Sequence, residues 1–99
     1  MNHGIEAEFE QKILAVLTAL MPGVTIYLFG SRARGTHSPR SDIDIALQGP
    51  EKLSRHAIAE IVRMLQASDI PYKIEIVDFN RVSDDIRESI LEEGIIWQA

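Results

Sequence analysis

Cysteine is absent from the 99 residues, which excludes a disulfide framework and a thiolate zinc site and leaves nothing to favour an oxidising compartment. Apolar runs of membrane-spanning length are missing too. The first helix-like stretch, from about Ile5 to Met21, is interrupted by Glu6, Glu8, Glu10 and Lys12, so it is neither the apolar core of a signal peptide nor a membrane span. Aromatic residues make up only 6%, and Tyr27, Phe29 and Trp97 lack the spacing of a base-stacking platform, so they are expected in a core or at an interface. Positive charge is the minority sign: ten Lys and Arg against fifteen Asp and Glu give a net charge of -5. That field repels a polyanion and argues against stable nucleic-acid binding. The expected compartment is the cytoplasm, with no membrane association.

What remains is an ordinary globular composition, 45% apolar and 25% charged, sufficient for one domain spanning residues 1–99. A domain this small buries a smaller share of its surface than a larger one, so an enzyme on this scale is expected to borrow part of its site from a partner, a second subunit or its substrate. Homo- or hetero-oligomers are both compatible with that expectation. Three of the ten basic residues, Arg32, Arg34 and Arg40, fall in one nine-residue stretch, which points to a confined anion site.

Ile13, Leu14, Leu17, Leu20 and Met21 recur at helical spacing before the breaker Pro22-Gly23. Val24 to Phe29 is a short apolar run ended by Gly30 and reads as a buried strand. From Gly30 to Ser41 the composition turns to Gly, Ser, Arg, Thr, His and Pro, a long functional loop. Asp42 to Leu47 alternates with period two as a second strand, with both aspartates on one face and both isoleucines on the other. A helix from Lys52 to about Ala67 gathers Leu53, Ile58, Ile61, Val62 and Leu65 on one side, and Tyr72 to Phe79 alternates as a third strand. Ser83 caps a last helix, acidic on its exposed side, that ends at Glu93 before Gly94; Ile95-Ile96-Trp97 adds a short edge strand. The order defines an α/β domain.

Gly30-Ser31, ten intervening residues and Asp42-Ile43-Asp44 carry the chemistry. Two aspartates at i and i+2 of a strand point the same way from backbone origins ~7 Å apart, so their carboxylates can converge on a divalent ion. All-oxygen ligation suits Mg²⁺ or Mn²⁺ better than zinc, and such ions bridge phosphates and neutralise a leaving pyrophosphate. Gly30 lets the backbone pass close to a phosphate, and the Ser31 hydroxyl and neighbouring amides can donate to its oxygens. Arg32 and Arg34 are candidates to clamp the phosphate tail. A third carboxylate would complete a two-metal site: Glu75, mid-strand among apolar neighbours, is the first candidate, and Asp78, nearer the strand end and on the opposite face, the second. Gly30-x-x-x-x-Gly35-Thr36 has the glycine spacing of a Walker A loop but lacks its lysine and its following helix, which dismisses that alternative. His37 is expected to be a solvent-exposed loop residue, Arg40 a surface turn residue, and His3 and His56 belong to no constellation.

Gly30-Ser31-Arg32-Ala33-Arg34-Gly35 followed by Ser41-Asp42-Ile43-Asp44 resembles the signature of the minimal nucleotidyltransferases, small members of the DNA polymerase β-like superfamily, including the MNT antitoxins of HEPN/MNT toxin–antitoxin systems. The resemblance implies an α+β nucleotidyltransferase fold, a small mixed sheet flanked by helices. It implies that Gly30 and Ser31 bind nucleotide phosphates and that Asp42 and Asp44 hold Mg²⁺, two ions in all. The family's third carboxylate is commonly an aspartate on a neighbouring strand; the matching position here holds Glu75, whose longer arm changes the metal geometry or weakens activity. The implied reaction is transfer of AMP from ATP, or another nucleoside triphosphate, to a tyrosine of a cognate HEPN-domain toxin. Two other readings stand beside it: a binding module that neutralises a toxin by masking its surface, and a small-molecule nucleotidyltransferase, a class that usually carries an added substrate domain.

Overall fold

Alternating side chains on two central strands give the molecule two separate apolar clusters, one on each face of a single sheet. The computed structural model describes residues 3–98. In chain order these form α1 (Ala7–Leu20), β1 (Thr25–Phe29), α2 (Ser31–Arg34), β2 (Ile43–Gln48), α3 (Arg55–Gln66), β3 (Ile74–Asp78), α4 (Asp84–Glu93) and β4 (Ile95–Gln98). The strands lie in the order β3-β2-β1-β4. β1 is antiparallel to both β2 and β4, whereas β2 and β3 are parallel. This is the small mixed sheet flanked by helices that the sequence predicts. No helix among the described residues is long and apolar enough to cross a membrane.

Period two decides which residues face which layer. Ile26 and Leu28 of β1 with Ile43, Ile45 and Leu47 of β2 point to one side, where Ile13 and Leu17 of α1 and Ile61 and Leu65 of α3 close over them. The intervening residues Tyr27 and Ala46 face the other side and pack with Phe79 and Ile90, the latter supplied by α4. The Tyr27 and Phe79 rings stack there at 5.6 Å between centroids. Two helices therefore cover the first face and one short helix covers part of the second.

The helix boundaries follow local chemistry. Ser54 and Ser83 cap α3 and α4, their side chains accepting from the amides of Ala57 and Ile86. Gly94 ends α4 as expected, but for a different reason than a left-handed turn: its φ is -72°, and a Cβ would collide with the Ile90 carbonyl oxygen. The edge strand after it pairs with β1 through Ile95 and Ile96. The Gly30–Ser41 segment departs from its expectation as a plain loop, because Ser31–Arg34 forms a helical turn closed by Gly35 at φ 78°, the left-handed conformation glycine adopts without strain. Tyr72, expected in the third strand, precedes it and turns its ring toward α1, meeting Phe9 edge-on at 5.9 Å.

Ile45 is wholly buried at the centre of the first cluster. Ile45→Ala is expected to lower unfolding free energy by about 2–5 kcal/mol, the range for a large-to-small change in a packed core, read from the urea midpoint at unchanged m-value.

Candidate active site

Strand register brings the signature together. Asp44 pairs with Phe29 across the antiparallel β1–β2 ladder and with Glu75 across the parallel β2–β3 ladder. The chain leaving β1 after Phe29 is Gly30, so the phosphate-type turn and the strand carboxylates share one end of the sheet. Gly30 has φ 76° and ψ -156°, a backbone region that essentially only glycine occupies. A Cβ there would run into the Asp44 carboxylate, so glycine is required for both conformation and space. The helical turn begins at Ser31, and the first amides of such a turn have no carbonyl partner within it.

The carboxylates share a face, and their electrostatics are consequently strained. Asp44 is half-buried and its carboxyl is pushed up to about 6, first by burial, then by hydrogen bonding and charge repulsion from Glu75 and by the charge of Asp42; Arg34 pulls in the opposite direction. Asp42 lies just before β2 and is half-buried, and Glu75 on the outer strand β3 is exposed. Among the described residues no three carboxylates or imidazoles close into a compact metal cage. The like charges of Asp42, Asp44 and Glu75 oppose that closure unless a cation is present. An all-oxygen set with surplus negative charge fits a hard divalent ion such as Mg²⁺ or Mn²⁺.

Asp78 does not belong to this cluster. It is only 4% exposed and accepts from the Leu53 amide at 2.7 Å and the Asn80 amide at 2.9 Å, with Arg81 Nε 3.3 Å away. It ties the segment before α3 to the end of β3.

The two arginines of the signature diverge. Arg34 is exposed, reaches Glu93 at 3.4 Å and acts on Asp44, so its guanidinium borders the site. Arg32, a candidate phosphate clamp in the sequence, is only 1% exposed. Its donors go to the carbonyls of Ser41, His3 and Pro39, and its guanidinium lies 5.0 Å from the Tyr72 ring centroid. A group so enclosed is not presented to a phosphate. The missed signal is helical spacing: once Ser31–Arg34 is a turn, positions 32 and 34 lie on nearly opposite sides of it. His37 also departs from its expectation of full exposure. It is half-buried against Gly4, and its Nδ1 has no hydrogen-bond partner among the described residues. Arg40 and the acidic side of α4 are exposed as expected, His56 is exposed too, and Tyr27 and Phe29 pack in the second cluster.

The family model described as "Polymerase beta, Nucleotidyltransferase" matches residues 11–97. The chain belongs to that nucleotidyltransferase family. It is 30% identical over 94 residues to "Probable protein adenylyltransferase MntA" of Haemophilus influenzae, covering 95% of this chain and 82% of that protein. It is 34% identical over 86 residues to "Protein adenylyltransferase MntA" of Shewanella oneidensis, covering 86% of this chain but 61% of that relative, less than two thirds of its length. Among solved structures, a toxin–antitoxin complex with AMP-PNP superimposes with a TM-score of 0.76 at 33% identity, over 91% of this chain and 73% of that one. The MNT antitoxin complex with a tri-AMPylated HEPN toxin of Shewanella oneidensis gives a TM-score of 0.71 at 29% identity, over 93% and 71% of the two chains.

Two measurements test this placement of the nucleotidyltransferase residues. Because the folded-state pKa of Asp44 is raised, its contribution to stability is present below its unfolded value near 3.8 and is lost as pH rises through about 6. Asp44→Asn removes that loss, so its stability relative to the parent protein should climb between pH 4 and pH 6.5 in urea melts without divalent ions. A pH-independent difference contradicts the raised value. Glu75→Gln is expected to reduce nucleotidyl transfer with little change in stability. Asp78→Ala does the reverse, losing at least ~2 kcal/mol from two orphaned amides while transfer per folded molecule stays intact.

Proposed function

We propose that this nucleotidyltransferase moves AMP from ATP to a tyrosine hydroxyl of a HEPN-domain toxin and so acts as its antitoxin. The observation that carries the reading is the position of Asp44, in register with Glu75 on one side and in contact range of Gly30 on the other. That places a carboxylate cluster beside a turn suited to phosphates. Support for the acceptor class comes from the relatives, which are protein adenylyltransferases and toxin–antitoxin complexes, one with a tri-AMPylated HEPN toxin.

In this reading the residues divide the work. Gly30 gives the triphosphate close access to the backbone, and Ser31 and the first amides of its turn donate to phosphate oxygens. Arg34, exposed beside Asp44, supplies positive charge to the phosphate tail. Asp42, Asp44 and Glu75 would hold Mg²⁺, which when bound neutralises the phosphates and the departing pyrophosphate. The acceptor oxygen attacks the α-phosphorus, the bond from that phosphorus to the bridging oxygen breaks, and pyrophosphate leaves with the electron pair. The proton of the acceptor hydroxyl passes to the carboxylate cluster.

A second reading is favoured by one specific feature, the glutamate at position 75 on an exposed edge strand: a module that masks the toxin without modifying it. Incubation with labelled ATP, Mg²⁺ and the product of the neighbouring gene, as candidate toxin, separates the two. The expected outcome is an adenylate adduct on the toxin, detected by intact mass. Asp42→Asn combined with Asp44→Asn should lower adduct formation on the order of 100-fold or more, the scale of losing metal stabilisation, and abolish protection while complex formation persists. Protection that survives this double change supports masking and rejects transfer.

A further inference from the structure

Arg32 presents an unusual burial. A guanidinium that is 1% exposed is costly to desolvate, and such groups are ordinarily matched by a carboxylate. Arg32 has no carboxylate partner among the described residues; its charge is met by carbonyl dipoles and one aromatic face. An apolar side chain would occupy an interior position without that cost, so packing alone does not account for the residue.

The direction of its hydrogen bonds does. Nε and Nη2 donate together to the carbonyl oxygen of Ser41, at 3.1 and 2.9 Å. That carbonyl belongs to the peptide that joins Ser41 to Asp42. Arg32 itself follows Ser31 in the helical turn. One side chain thus links the Ser31–Arg34 turn to the backbone that carries the first carboxylate of the pair. Nη1 reaches the His3 carbonyl at 2.9 Å and the ring of Tyr72 covers the guanidinium, while the Tyr72 hydroxyl donates to the Gly4 carbonyl at 3.3 Å. The segment before α1 and the segment before β3 therefore hold the fork in place.

We infer that Arg32 is a positioning residue, setting Asp42 relative to Gly30-Ser31 through the Ser41 carbonyl; this rests on Asp42, Asp44 and Glu75 being the cation site proposed above. Two donors converging on one oxygen fix both distance and direction, which a single ammonium cannot reproduce. Loss of the fork frees Asp42 and weakens divalent-ion binding before it weakens anything else in the site, as outer-shell partners of metal ligands do.

The test is calorimetric titration of Mn²⁺ into the isolated protein, joined to AMP transfer measured against Mg²⁺ concentration. Arg32→Lys should raise the Mn²⁺ half-saturation concentration about 10-fold or more, and its transfer rate should recover toward the parent value at high Mg²⁺. Ile61→Val, a remote core change in α3, should lower the melting temperature and leave that concentration unmoved. Arg32→Lys binding Mn²⁺ like the parent protein overturns the proposal and leaves the site intact; a parent protein that binds no Mn²⁺ overturns the site and the proposal together. Should Arg32→Lys not fold, NMR of the unaltered protein decides: the Arg32 Nε–H resonance should shift on Mg²⁺ addition with the same saturation as the Asp42 amide, and an unresponsive Nε–H rejects the coupling.

Discussion

Asp44 carries a negative charge onto the sheet between Phe29 and Glu75, and the surrounding structure is arranged so that it can stay there. Burial and neighbouring carboxylates both work against ionisation, so the charge is tolerated only where something positive can arrive. That requirement explains the glycine at position 30, since any Cβ would occupy the space into which the carboxylate projects. It also explains why the second face of the sheet is thinly covered. α4 packs against Tyr27, Ala46 and Phe79 through Ile90, leaving the end of the sheet with Asp44 and Glu75 open. A fully covered second face would stabilise the core and close the route to the carboxylates.

Helical geometry divides two arginines that look equivalent in sequence. Successive residues of a helix are about 100° apart, so positions 32 and 34 are ~200° apart around the turn. Arg32 goes inward to backbone carbonyls and Arg34 outward to the region of Asp44. In the proposed site the inward member gives rigidity and the outward member supplies charge to the phosphate tail. An ion pair as exposed as Arg34 with Glu93 contributes little to stability, so Arg34 can leave it at small cost when a stronger anion is present.

Much of this is legible in the sequence because period two is unambiguous in β2. Isoleucines at 43 and 45 must face a core, which sends Asp42 and Asp44 to the other side whatever the rest of the fold does. The choice of Glu75 over Asp78 was legible in part by the same rule, since the two lie on opposite faces of β3. What the sequence did not reveal was that Asp78 has amides from Leu53 and Asn80 to satisfy, a tertiary fact with no local signature. The Gly30–Ser41 segment was the least legible. Its polar composition resembles solvated loop, and only the left-handed Gly35 marks the end of a turn. Without that turn, the sequence groups Arg32 with Arg34 and places His37 in solvent. Burial of a charged side chain by carbonyls 7 to 29 residues away leaves no periodic trace in a chain.

The openness of the proposed site bears on how it would work. Electrostatic stabilisation of a developing charge is strongest where water is excluded, yet Glu75 is exposed on an edge strand and Arg34, which acts on Asp44, is exposed as well. The described residues supply the polar groups but no wall on that side. An acceptor protein laid against β3 and the Gly30–Gly35 turn would deliver its hydroxyl and exclude water in the same event, raising the strength of every charge interaction beneath it. In that arrangement the acceptor would be part of the active site, closing over a Glu75 carboxylate that already meets Asp44.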